Sequence, residues 1–146
     1  VAASSYGAGD SRQFSVDGDY SGKYSPAGWA KKAMAAYEQH QADAIVIETN
    51  QGGDMAEETL KNAGFKGRII RIHANKGKFA RAEPISALYE QGRVAHQGAL
   101  YLLENQLMEY IPATAKKSPD RLDAMVYALT ELGGAAPLGI LLPGAR

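Results

Sequence analysis

The stretch Ala44-Ile45-Val46-Ile47-Glu48-Thr49-Asn50-Gln51-Gly52-Gly53-Asp54-Met55 decides the fold. It opens on a short aliphatic and β-branched run, the pattern of a fully buried strand. The run stops at a carboxylate, Glu48. Asn50-Gln51-Gly52-Gly53 is a turn signal, and Asp54 stands where a helix N-cap is expected. Glu48 is therefore predicted at the carboxyl end of an internal strand, with the chain turning sharply behind it. In open α/β sheets that end is where sites are built. The plain alternative is an ordinary strand end with a solvated glutamate. A second acidic cluster, far along the chain, weighs against it.

Upstream, residues 1–5 and 13–20 read as an antiparallel hairpin around the turn-rich Tyr6-Gly7-Ala8-Gly9-Asp10-Ser11. Val1-Ala2-Ala3 starts apolar and without methionine, as though cut inside a domain. Ser25-Pro26 opens a helix in the preferred way, Ser as N-cap and Pro at the first helical position. Trp29, Ala33 and Tyr37, flanked by Ala30 and Met34, form its buried stripe to about His40.

Downstream, a helix from Asp54 to Ala63 ends at Gly64, and Arg68–His73 is the next strand. The order of hairpin, helix, strand, helix, strand makes the chain α/β with parallel central strands. A basic loop follows, with Lys76, Lys78 and Arg81 around Gly77. The next helix runs from Ala82 to Glu90, with Pro84 tolerable only in its first turn, and Gly92 ends it. Arg93–His96 is a short strand. Leu100–Tyr110 is a helix stopped by Pro112, and Lys116 and Lys117 sit in the loop beyond.

The last helix, from Ser118-Pro119-Asp120, buries Leu122, Met125, Val126 and Leu129. Asp120 and Asp123 share one side of its first turn. Capping and helix-dipole complementarity account for Asp120. Asp123 lies on the border of the apolar face, where a half-desolvated carboxylate wants a cation or a donor. Residues 134–146 have no period and read as a loosely held tail behind one domain of residues 1–133.

Composition narrows the function classes. The chain has 146 residues, enough for one domain with a real core. Its 16 basic and 16 acidic residues cancel, so any nucleic-acid binding comes from local patches. Cysteine is absent, which excludes disulfides and thiolate metal sites. No run is long and apolar enough for a membrane span. No signal peptide and no internal repeat are evident.

Taken together, Ser25-Pro26-Ala27-Gly28-Trp29-Ala30, Glu48–Met55, Lys76-Gly77-Lys78 with Arg81-Ala82-Glu83-Pro84, Leu88–Val94 and Ser118–Ala124 resemble the C-terminal nuclease domain of tailed-phage and prophage large terminase subunits. The resemblance spans about residues 1–133. It implies a ribonuclease H-like mixed sheet, an N-terminal hairpin plus parallel strands, flanked by helices. It implies a metal-dependent endodeoxyribonuclease that cuts concatemeric genome DNA during packaging in the bacterial cytoplasm. Its partners would be double-stranded DNA, the terminase ATPase domain, the small terminase subunit and the portal. Glu48 matches the family's second acid, and Asp123 or Asp120 the third.

The first acid matches nothing in the chain. It would lie on a strand before Val1, so residues 1–146 alone are expected to cleave poorly. Carboxylates suit Mg²⁺ or Mn²⁺ in a two-metal site, and Lys76, Lys78 and Arg81 would neutralise DNA phosphates. His73 and His96 are not counted as ligands. The rival reading is a non-catalytic docking module on the same scaffold.

Overall fold

The computed structural model describes residues 1–49, 53–73, 78–110 and 120–134. β1 (Ala2–Tyr6) and β2 (Gln13–Gly18) form the expected antiparallel hairpin, joined through a short 3-10 turn at Gly9–Ser11. α1 (Pro26–Gln39) begins as the sequence dictates. The Ser25 hydroxyl accepts from the Gly28 N–H at 3.2 Å, and Pro26 opens the helix.

β3 (Ala44–Glu48), α2 (Gly53–Asn62) and β4 (Arg68–Ile72) make the expected crossover, and β3 and β4 pair in parallel, Glu48 opposite Ile72. α3 (Lys78–Glu90), β5 (Val94–His96), α4 (Tyr101–Glu109) and α5 (Asp120–Leu129) complete the order. Gly64 and Gly92 end α2 and α3 with φ of 94° and 66°, a region that glycine enters without steric cost.

Among the described residues the strands form two sheets. In the first, β2 is central, antiparallel to β1 and parallel to β5. The second is the pair β3 and β4. Two cores correspond to them. One gathers Phe14 and Val16 of β2, Ile85 and Leu88 of α3, Leu103 of α4 and four residues of α5. The other gathers Ala30, Ile47, Leu60 and Phe65.

Two details differ from the sequence reading. α3 starts at Lys78, so Pro84 lies inside it rather than in its first turn. Proline there removes the N–H that would serve the Ala80 carbonyl. Ala80 is exposed, so water can serve that carbonyl instead, which makes the interruption tolerable. Asp54 does not precede α2 as a cap. It lies in the first turn and pairs with Arg71 of β4, which also reaches Glu57 at 3.3 Å.

α5 is fixed by polar groups at its start. The Gln106 side-chain oxygen accepts from the N–H groups of Arg121 and Leu122, at 3.1 and 3.3 Å. These are donors that a helix cannot satisfy internally. Arg121 Nε donates to Asp19 Oδ2 at 2.7 Å, and its Nη2 to the Ser21 carbonyl at 3.3 Å. The Asp19 side chain is only 9% exposed. Burial pushes its carboxyl up, but donors from Ser21 and the Arg121 guanidinium outweigh that and hold it below the ordinary carboxylate range.

A depressed carboxyl stabilises the fold above its unfolded pKa, about 4, and that contribution is lost as pH falls through the folded value. Asp19→Asn should therefore cost about 2–3 kcal/mol at pH 7, the scale of hydrogen bonds to charged groups. The deficit should shrink below about pH 4. Urea denaturation of both proteins across this range checks it, and parallel stability curves would contradict it.

Candidate active site

Glu48 is the last residue of β3 and is exposed. The strand end that carries it is tied down. The Thr49 N–H and hydroxyl both donate to the Ile72 carbonyl, at 2.8 and 3.2 Å, which extends the ladder with β4 by one residue.

The second acidic cluster comes from α5. Leu122, Met125, Val126 and Leu129 are buried in the first core and set the rotation of the helix. Asp120, Asp123 and Tyr127, spaced by three and four, share the neighbouring stripe. Asp120 is exposed, Asp123 half-buried, and Tyr127 only 8% exposed.

Glu48 and Asp123 both act electrostatically on the Tyr127 hydroxyl. That oxygen is buried and faces the Glu48 carboxylate, without the distance and angle of a full hydrogen bond. Burial, then Glu48, push the phenol pKa up to about 12, and the charge of Asp123 adds to this while that of Arg81 opposes it. The Arg81 guanidinium lies over the Tyr127 ring, 5.0 Å from its centroid, a cation–π arrangement. A strand-end glutamate and a helix-start aspartate thus act through their charge on the phenol over which an arginine of α3 lies. Oxygen donors so placed can hold a hard cation, and the guanidinium can offset a phosphate. Among the described residues no group of three His, Asp or Glu stands close enough to hold a metal on its own.

The other sequence candidates fall in different places. Lys76 lies outside the described residues, as do Lys116 and Lys117, and Lys78 is the first residue of α3. His73 is exposed just past β4. His96 has structural partners: its Nε2 pairs with the Tyr89 hydroxyl at 2.7 Å and its Nδ1 with Glu104 at 3.0 Å. Tyr127 is the residue that sequence reasoning missed. Its signal was its position, one turn beyond Asp123 on the same stripe.

The family described as the terminase RNaseH-like domain matches residues 19–132, a span that includes Glu48, Arg81, Asp120, Asp123 and Tyr127. No curated protein and no solved structure matches the chain.

A phenol with a raised pKa stays neutral in the fold after its unfolded counterpart has ionised. Tyr127 therefore supports the fold up to the ordinary phenol pKa of about 10. That support is lost as pH rises toward the folded value of about 12. Glu48→Gln should lower the Tyr127 pKa without restoring it to 10, because burial is the larger cause. The ring-carbon NMR shift of Tyr127 against pH reads this. A value that E48Q leaves unmoved would mean that the carboxylate does not act on the hydroxyl.

Proposed function

We propose, since the chain belongs to the terminase RNaseH-like domain family, that it is the metal-dependent endonuclease domain of a DNA-packaging terminase, cutting concatemeric genome DNA. The observation that carries this is Glu48 at the carboxyl end of β3, its charge and that of Asp123 both acting on the buried Tyr127 hydroxyl. The donor set fits Mg²⁺ or Mn²⁺. It consists of carboxylate and phenol oxygens, and the sequence has no thiolate to favour a softer ion.

Glu48 and Asp123 would hold the metal, with Asp120 a turn away on the same stripe. When bound, a divalent pair supplies an activated water and the charge that offsets the leaving oxygen. The chain's own residues do the rest. Glu48 and Asp123 fix where cleavage occurs on the duplex. Arg81, with Lys76 and Lys78, neutralises backbone phosphates and holds DNA without reading its sequence. The motor ATPase, small subunit and portal would be its partners in the host cytoplasm.

A second reading has one observation in its favour, the lack of a three-ligand group among the described residues. In it the domain docks DNA or protein and its acids are structural. Mn²⁺ titration by calorimetry, run beside a plasmid-nicking assay, decides between the two. Glu48→Gln or Asp123→Asn should lower Mn²⁺ affinity by more than the roughly 10–100-fold typical of outer partners, because each removes a direct ligand, and should abolish whatever nicking the chain shows. Nicking that survives both changes would leave the acids without a catalytic role.

The basic residues make a separate expectation. Replacing Lys76, Lys78 and Arg81 by alanine should weaken binding to unrelated duplexes alike. It should also flatten the salt dependence by roughly 0.9 in log–log slope per lost phosphate contact. An unchanged slope would make them a solvated face.

A further inference from the structure

We propose that His96, Tyr89 and Met125 form a proton-operated latch on α5. When the imidazole is charged, the Tyr89 hydroxyl donates to the Met125 sulfur. When it is neutral, the hydroxyl turns back to the imidazole. The latch stands on the geometry around His96 and on no part of the nuclease reading.

The hydroxyl lies 2.7 Å from His96 Nε2 and 3.2 Å from Met125 Sδ. On the other side of the ring, His96 Nδ1 lies 3.0 Å from a Glu104 carboxylate oxygen. The bond from His96 outweighs desolvation and holds Glu104 below the ordinary carboxylate range, so at neutral pH it only accepts. A thioether sulfur only accepts too. Nδ1 therefore bears a proton toward Glu104. The phenol has one proton, and burial, then the Glu104 charge, push its pKa up, so it keeps that proton. The proton can reach Met125 only if Nε2–H donates to the phenol oxygen, which makes His96 an imidazolium. In neutral His96 the Nε2 lone pair takes the phenol proton, and Met125 has no donor. Only the charged ring serves all three contacts at once.

The four residues come from α3, β5, α4 and α5. The groups facing the imidazole are the Tyr89 hydroxyl from α3 and the Glu104 carboxylate from α4. Its register partner on β2 is Val16, which carries no charge. α5 reaches it only through Met125 and the phenol. Met125 is 1% exposed, so water supplies no substitute donor. One bond to α5 is thus present while His96 is charged and lost as pH rises through its titration. α5 also carries Asp120 and Asp123, so a proton on β5 bears on how firmly the acidic helix is held.

NMR of the 146-residue chain follows the His96 ring nitrogens and the Met125 methyl carbon against pH. In wild type the methyl shift should move with the His96 midpoint. Met125→Leu keeps the volume and removes the sulfur. The charged state then lacks an acceptor for the phenol proton, while the neutral state is unchanged. M125L should therefore lower the His96 midpoint by about 0.4–1 pH unit, the roughly 2–10-fold effect of one hydrogen bond. Tyr89→Phe cuts the link, and the Met125 methyl should no longer follow His96.

An unmoved His96 midpoint in M125L overturns the latch and leaves Met125 as packing alone. A Met125 methyl that ignores the His96 titration in wild type, or still follows it in Y89F, overturns it as well. If M125L does not fold, the comparison of wild type with Y89F decides.

Discussion

The acidic site depends on the rotation of α5 about its own axis, which its buried apolar face sets and Arg121 pins at the start. The Arg121 guanidinium is held by the Asp19 carboxylate and the Ser21 carbonyl. Successive residues on a helix are about 100° apart, so Arg121 and Asp123 point to nearly opposite sides. Anchoring one directs the other. Gln106 fixes the start of the helix, and the apolar residues from Leu122 to Leu129 fill the core. The Asp19–Arg121 pair adds a polar anchor to what the apolar face already directs.

The site lies where the two cores adjoin. Glu48 follows Ile47 of the second core, and Tyr127 sits between Val126 and Leu129 of the first. α5 packs against β1 of one sheet while its phenol faces the end of β3 in the other. The Tyr20 hydroxyl bonds His40 Nε2 at 2.6 Å, another tie between the end of the hairpin and the second core's helix α1. Boundaries between packed units are where concave, polar sites commonly form, because neither core needs to fill them.

Much of this was legible in the sequence because it rests on local rules. An aliphatic run that ends in Glu48, Ser25 before Pro26, and apolar residues at helical spacing in α5 each announce their element without reference to the rest of the chain. What was not legible depends on partners distant in sequence. Asp54 reads as a cap until Arg71 is known to lie across from it. Pro84 reads as a first-turn residue until α3 is seen to begin at Lys78. Asp19 draws no reading until Arg121 claims it, and Tyr127 none until its burial beside Arg81 is seen. The acids themselves were found early, because an unusual placement of charge is visible locally. Their supporting residues were not, because support is a relation across the fold.

The Asp19–Arg121 contact joins residues 102 apart in sequence, and the bond from Arg12 to the Leu132 carbonyl joins residues 120 apart. Such closures are slow steps, since their loop entropy must be lost before the contact returns anything. During synthesis the N-terminal hairpin emerges long before the helix that pins it. Glu48 is made early but acquires its neighbours only when α5 has left the ribosome. The chain therefore assembles its acidic site at the end of folding, and a nascent or prematurely terminated copy carries Glu48 without its neighbours on α5.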